Sequence, residues 1–228
     1  MYNIAVILAG GTGSRVGGET PKQFLPIKDG RSVLEHAVDA FEASPAINEI
    51  AVVMHPDHID ALQELCRKNS WRKLAKIIPG GTERWESSWH AILAYADFSP
   101  AANEKGEPAL FFHDAARPFV SQRIIAGVAE ALETHEAVTV AVPVTDTLYL
   151  VESGKVAAVP ERAKYMRAQT PQAFHYDLVF NAFAKAIASE QIIATDDVGI
   201  VRKYEPGKQI FIVVGEEENR KITYKEDL

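Results

Sequence analysis

Short β-branched runs alternate with amphipathic stretches along most of the chain, and this alternation restricts the fold more than any other feature of the sequence. Asn3 to Ala9 (NIAVILA) is a short apolar, β-branched run that ends at a glycine-rich turn, as a strand buried on both faces does. Ser32 and Glu35 form a capping-box pattern ahead of Leu34, Val38 and Phe41 at helical spacing. Glu49 to Met54 reads as strand, and Asp57 opens a helix in which Ile59, Leu62, Leu65 and Cys66 share a face. Lys76 to Ile78 is a short strand, Gly80-Gly81 a turn, and Trp85, Trp89, Ile92, Leu93 and Ala96 mark the apolar stripe of the next helix. A polar connection, Asp97 to Pro108, leads into the strand Ala109 to His113, and Ser121 caps a helix carrying Ile124, Ile125, Val128 and Leu132. Ala137 to Val142 is strand, Asp177 to Ser189 and Thr195 to Tyr204 are helices, and Gln209 to Val214 is a last buried strand. The rhythm predicts an α/β fold with a mostly parallel sheet covered by helices on both faces, whose ligands bind beyond the carboxyl ends of the strands.

One segment breaks the rhythm. Thr147 to Val151 and Lys155 to Val159 are two β-rich runs joined by Glu152-Ser153-Gly154, the grammar of a hairpin, and predict a projecting β-arm. The 228 residues, with 47% hydrophobic and 24% charged side chains, suit one ordinary globular domain. A net charge of −7 argues against a general nucleic-acid binder, so an anionic ligand must meet locally clustered cations. No apolar run reaches the ~18–20 residues of a membrane span, and Met1 to Ala9 lacks the features of a signal peptide, so a cytoplasmic protein is expected. The single cysteine, Cys66, excludes an intramolecular disulfide and reads as packing.

The first strand runs into Leu8-Ala9-Gly10-Gly11-Thr12-Gly13-Ser14-Arg15, a loop in which successive N–H groups can hold phosphate oxygens. The dinucleotide fingerprint fails, because Val16 stands where Gly or Ala is required. The P-loop pattern fails too, since Gly18 is followed by Glu19-Thr20 rather than by a lysine. What remains is a glycine loop closing on Arg15, then Pro21-Lys22-Gln23-Phe24, with two cations seven positions apart flanking a phosphate-sized space.

Leu8 to Arg15 with Pro21-Lys22-Gln23-Phe24 resembles the signature of the sugar-phosphate cytidylyltransferases of the 2-C-methyl-D-erythritol 4-phosphate type. The resemblance recurs in order at Gly80-Gly81 with Arg84 and Ser87, His113 to Pro118, Pro143 to Thr147, Gln169 to Gln172, Thr195-Asp196-Asp197 and Arg220 to Thr223, so it covers nearly the whole chain. It implies a single-domain Rossmann-like nucleotidyltransferase fold over residues 1–228, with the β-arm at about 143–165, and transfer of CMP from CTP to an alcohol phosphate with release of pyrophosphate. Arg15, Lys22 and Lys221 match the family's transition-state cations. Ala9, Gly10, Gly11, Gly13, Gly81, Thr82, Ser87, Asp114 and Ala115 match nucleotide-binding positions, Thr82 standing where many members carry an acidic residue. Arg117, Thr147, Arg162, Thr170 and Thr195 match acceptor-binding positions; Thr147 and Arg162 serve the neighbouring subunit in the family, which implies a homodimer. Magnesium is expected on the triphosphate oxygens, with no protein ligand assigned.

Several of these residues carry a second reading. Arg84 and Ser87 could simply cap a helix, Asp114 and Arg117 could form a structural salt bridge, and Asp196-Asp197 could cap the helix that begins there. His113 reads as packing or orientation, because a phosphate monoester is already a nucleophilic anion and needs no general base. Two other functions compete: a cytidylyltransferase for ribitol 5-phosphate or a related pentitol phosphate, and a non-catalytic nucleotide sensor on the same fold. The sensor would not need Arg15, Lys22 and Lys221 together.

Overall fold

A computed structural model describes residues 1–11, 20–27, 29–98, 106–189, 192 and 194–228. A seven-stranded sheet runs through the centre, built from β1 (Tyr2–Ala9), β2 (Glu49–Met54), β3 (Leu74–Pro79), β4 (Pro108–Asp114), β5 (Ala137–Pro143), β8 (Met166–His175) and β9 (Phe211–Val214). Their order across the sheet is β3-β2-β1-β4-β8-β5-β9, and all pairs are parallel except those that β8 makes with β4 and β5. After β1 the chain steps to β2 and β3 on one side, and β4 then returns to the other side of β1. The strand order therefore reverses between β1 and β4, which opens a crevice at their carboxyl ends.

Helices close both faces. α1 (Val33–Glu42), α2 (Ile59–Asn69) and α4 (Gln122–Ala131) cover one, burying Leu34, Phe41, Leu62, Ile124 and Val128 against Ile7, Val52 and Phe111. α3 (Arg84–Leu93), α5 (Tyr176–Ala188) and α6 (Asp197–Tyr204) cover the other, where Ile92, Phe183 and Ile200 meet Val6, Val53 and Phe112. The capping box is formed as expected: Ser32 Oγ accepts from Glu35 N–H at 3.2 Å and Glu35 Oε2 accepts from Ser32 N–H at 2.8 Å. The predicted arm is a separate two-stranded hairpin of β6 (Leu150–Glu152) and β7 (Lys155–Ala158), with Ser153 and Gly154 at positive φ in its turn. Among the described residues no helix is long and apolar enough to cross a membrane.

Two expectations need correction, and one strand has no counterpart in the sequence pattern. β8 was not foreseen: its centre, Gln169-Thr170-Pro171-Gln172, is polar by composition yet buried, because these side chains bond inward. Gln209 to Val214 is not a buried strand; β9 is an edge, and Phe211 and Val214 are 45% and 57% exposed. On α3 and the turn after it, Leu93 and Ala96 face outward, and Ser88, Ala91 and Tyr95 fill the stripe in their place.

Candidate active site

A cavity of about 340 Å³ lies over the crevice between β1 and β4. Ala9, Gly10 and Gly11 bring the end of β1 to it, Gly81, Thr82 and Ser87 come from the β3–α3 connection, and Asp114 and Ala115 come from the end of β4. Lys22 enters from a single 3-10 turn, Lys22–Phe24, and Lys221 from near the C-terminus. Gly13 and Arg15 lie outside the described residues.

The glycines allow two loops to touch. A Cβ on Gly80 would stand 3.6 Å from Gly10 Cα and 3.2 Å from Ser87 Oγ, so side chains here would push the loops apart. Ser87 is buried and its hydroxyl accepts from Gly81 N–H at 3.1 Å. Glu86 caps the start of α3, accepting from Thr82 N–H at 2.6 Å and Glu83 N–H at 3.1 Å. The capping duty that Arg84 and Ser87 could have had thus falls to Glu86. Ala115 N–H is engaged by Leu8 O at 3.0 Å, so the main-chain group it can offer a ribose is its carbonyl.

The two lysines, almost two hundred residues apart in sequence, share this cavity because the C-terminal segment is tied to the sheet. Ile222 is buried and donates its N–H to Ala116 O at 2.8 Å, and its own carbonyl accepts from Lys22 Nζ at 3.1 Å. Gln23 Nε2 donates to Ala9 O at 3.1 Å, which pins the Lys22 turn to the end of β1. Asn219, fully buried, donates from Nδ2 to Thr170 O at 2.9 Å and to Gln169 Oε1 at 3.2 Å, and Gln169 Nε2 donates to Glu216 O at 2.7 Å. Gln23 and Gln169 stand inside motif blocks and Asn219 carries no signal of its own, and sequence reasoning assigned none of the three this bracing part.

Charge at the site runs as a chain. Asp114 Oδ2 accepts from Lys221 Nζ at 2.6 Å, Asp114 Oδ1 lies 3.3 Å from Arg84 Nε, and the far end of Arg84 lies 2.9 Å from Asp197 Oδ2. Burial alone would raise the Asp114 pKa, but the charges of Arg84 and Lys221 outweigh it and hold the carboxylate well below the usual range. Asp196 Oδ1 caps α6 through Gly199 N–H at 2.8 Å.

Behind Asp114 a relay of neutral groups fixes the loop. Thr170 Oγ1 accepts from Asp114 N–H at 3.2 Å and donates to His113 Nδ1 at 3.0 Å, while His113 Nε2–H donates to Arg117 O at 2.9 Å. Thr170 is 5% exposed, with its hydroxyl engaged on both sides, and does not line the cavity. Arg117 forms no salt bridge with Asp114: its guanidinium donates to Asn219 O at 2.8 Å and Ala168 O at 3.1 Å, so it clamps the C-terminal segment to β8 and does not line the cavity. Thr147, Arg162 and Thr195 are exposed and lie outside the cavity wall, and Arg162 donates to Thr145 O at 2.6 Å.

His113 supplies a pH-dependent test of this relay. Burial holds its pKa down at about 4, so the folded chain keeps the ring neutral where the unfolded chain, titrating near 6.5, takes a proton. Stability is therefore complete above about 6.5, falls by about 3 kcal/mol as pH drops to about 4, and loses nothing more to this group below that. Denaturant titrations of His113→Asn should show lower stability at neutral pH and a profile flatter by that increment between pH 6.5 and 4. An unchanged pH slope would mean that the ring does not titrate as described.

The sheet order and the glycine-lined, cationic cavity at its switch point define a nucleotide-binding α/β fold. A family model described as 2-C-methyl-D-erythritol 4-phosphate cytidylyltransferase matches residues 3–228, and the chain belongs to that family of cytidylyl-transferring enzymes. A protein of that name from Thermobifida fusca is 41% identical over 229 residues, covering 98% of this chain and 89% of its own. A bifunctional ribulose 5-phosphate reductase/CDP-ribitol pyrophosphorylase from Haemophilus influenzae is 36% identical over 228 residues, 99% of this chain and 46% of its own. The crystal structure of 4-diphosphocytidyl-2C-methyl-D-erythritol synthase from Anaerococcus prevotii superposes with a TM-score of 0.82 at 28% identity, covering 99% of this chain and 92% of that one.

Proposed function

We propose that this chain transfers CMP from CTP to 2-C-methyl-D-erythritol 4-phosphate. One observation carries the reading: Lys22 and Lys221, from opposite ends of the sequence, stand on one cavity with a backbone-lined nucleotide wall. An oxygen of the acceptor phosphate attacks the α-phosphorus of CTP, the bond to the bridging oxygen of the β-phosphate breaks, and pyrophosphate leaves with the electron pair. The two ammonium groups, together with Arg15, meet the charge that gathers on the phosphoryl oxygens. The acceptor phosphate is anionic near neutral pH, so no proton has to be removed from it, and the neutral, buried His113 is not asked to act as a base. Gly10, Gly11, Gly81, Thr82 and Ser87 surround the nucleotide, reading it largely through the main chain.

Magnesium belongs to the triphosphate in this reading. Asp114 and Asp197 already face Lys221 and Arg84, and among the described residues no group of three or more His, Cys, Asp or Glu could hold a metal. The donor set suits a cation that arrives on phosphate oxygens and keeps its waters.

A homodimer would complete the acceptor site with Thr147 and Arg162. Tyr149, Leu150, Val151, Val156 and Val159 on the arm are 53–61% exposed, an apolar surface that a second copy would cover. Arg162→Ala should raise the acceptor KM several-fold and leave that for CTP nearly unchanged. Mixing it with a Lys22→Ala chain should restore part of the activity; absence of any rescue would mean each chain builds its own site.

The Haemophilus influenzae relative supports a second reading, with ribitol 5-phosphate as acceptor. Pyrophosphate release from CTP with each alcohol phosphate decides between them. Faster turnover of ribitol 5-phosphate would replace the first reading, and CTP binding with no turnover of either would point to a sensor.

A further inference from the structure

Asp197 opens α6 with none of its side chain exposed, and neither carboxylate oxygen has a hydrogen-bond partner among the described residues. It does not close the helix: Asp196 caps it, and Gln172 Oε1 accepts the N–H groups of Asp197 and Val198 at 3.1 and 3.2 Å. A buried carboxylate so placed is costly unless a counter-charge faces it. That charge is Arg84, whose guanidinium spans two carboxylates brought by two different elements, 2.9 Å from Asp197 Oδ2 and 3.3 Å from Asp114 Oδ1. Arg84 lines the cavity and Asp197 does not.

A guanidinium with one carboxylate to bind prefers to engage both of its oxygens. Here Arg84 reaches Asp114 through Nε, its far nitrogen faces Asp197, and Asp114 Oδ2 is left to Lys221. We propose that Asp197 is a positioning residue for cytidylyl transfer: acting through Arg84, it stops the guanidinium from closing over Asp114 and so preserves the place of Lys221 at the reacting phosphate. Neutralising Asp197 lets Arg84 turn onto both oxygens of Asp114 and displaces the Lys221 ammonium. The effect falls on the chemical step, because the glycines and Ser87 that surround the nucleotide do not depend on this pair.

The proposal rests on the transfer reading, for which wild-type turnover in the same assay is the separate test; no wild-type turnover would overturn both. Asp197→Asn should lower kcat by about 10²-fold, the usual cost of a small misplacement at a reacting centre, with the KM for CTP changed by no more than about threefold. The double variant Arg84→Met with Asp197→Leu removes both buried charges, so its unfolding temperature should return towards that of wild type. Its kcat should rise well above that of Asp197→Asn, because with Arg84 gone nothing closes over Asp114 and Lys221 keeps its place. A double variant as slow as Asp197→Asn would overturn the proposal, as would wild-type kcat in Asp197→Asn assayed well below its unfolding temperature, the result expected of a pair that served stability alone. If Asp197→Asn fails to fold, the double variant decides the matter by itself: a kcat near wild type supports the proposal and one lowered about 10²-fold overturns it.

Discussion

Lys221→Ala is expected to lower turnover by about 10²–10³-fold, equal to about 3–4 kcal/mol of barrier, with the unfolding temperature little changed. The ammonium stands at the cavity wall with over a third of its side chain exposed, so its removal leaves no core void. It does leave Asp114 with one cation fewer, but Arg84 still faces that carboxylate. Lys22→Ala should behave alike, since its turn is held by Gln23 through Ala9 O rather than by the lysine itself. Steady-state pyrophosphate release and thermal unfolding measured on the same preparations check both halves. Wild-type turnover in either variant would remove these cations from the chemistry.

The second large effect lies away from the reacting atoms. Asn219→Ala should cost about 2–4 kcal/mol of stability, because Thr170 O and Gln169 Oε1 lose their donor inside the protein. It should also lower kcat by about 10²-fold, since the segment carrying Lys221 loses its clamp. The clamp is tight: a Cβ on Gly215 would stand 2.3 Å from Gln169 Oε1 and 2.8 Å from Val140 Cγ1. Denaturant unfolding and turnover together test the idea. A destabilised variant with undiminished kcat would show that Lys221 is held by other means.

What the sequence disclosed divides along physical lines. β1, β2, α1 and α4 were legible because their apolar residues recur at the period of the element and their caps are standard chemistry, as at Ser32 and Ser121. β8 was not, because the side chains that make it useful to the site, Gln169, Thr170 and Gln172, also erase the hydrophobic alternation of a strand. β9 misled for the opposite reason, since apolar composition does not say whether a strand lies at the centre or the edge of a sheet. At the site, Lys22, Lys221, Asp114 and the glycines were readable as motif residues. The contacts that support them were not: Arg84 bridges Asp114 and Asp197, and Asn219 holds Thr170, only when distant segments meet.

The proposed chemistry stands or falls on where a bound triphosphate sits. A crystal structure of the chain with a CTP analogue whose α–β bridge cannot be cleaved should place Lys22 Nζ and Lys221 Nζ each about 3 Å from oxygens of the α- or β-phosphate, with the cytosine against Gly81 and Ser87. A triphosphate seated elsewhere, with Lys221 still paired to Asp114 and both ammonium groups out of hydrogen-bonding reach of phosphate, would contradict it.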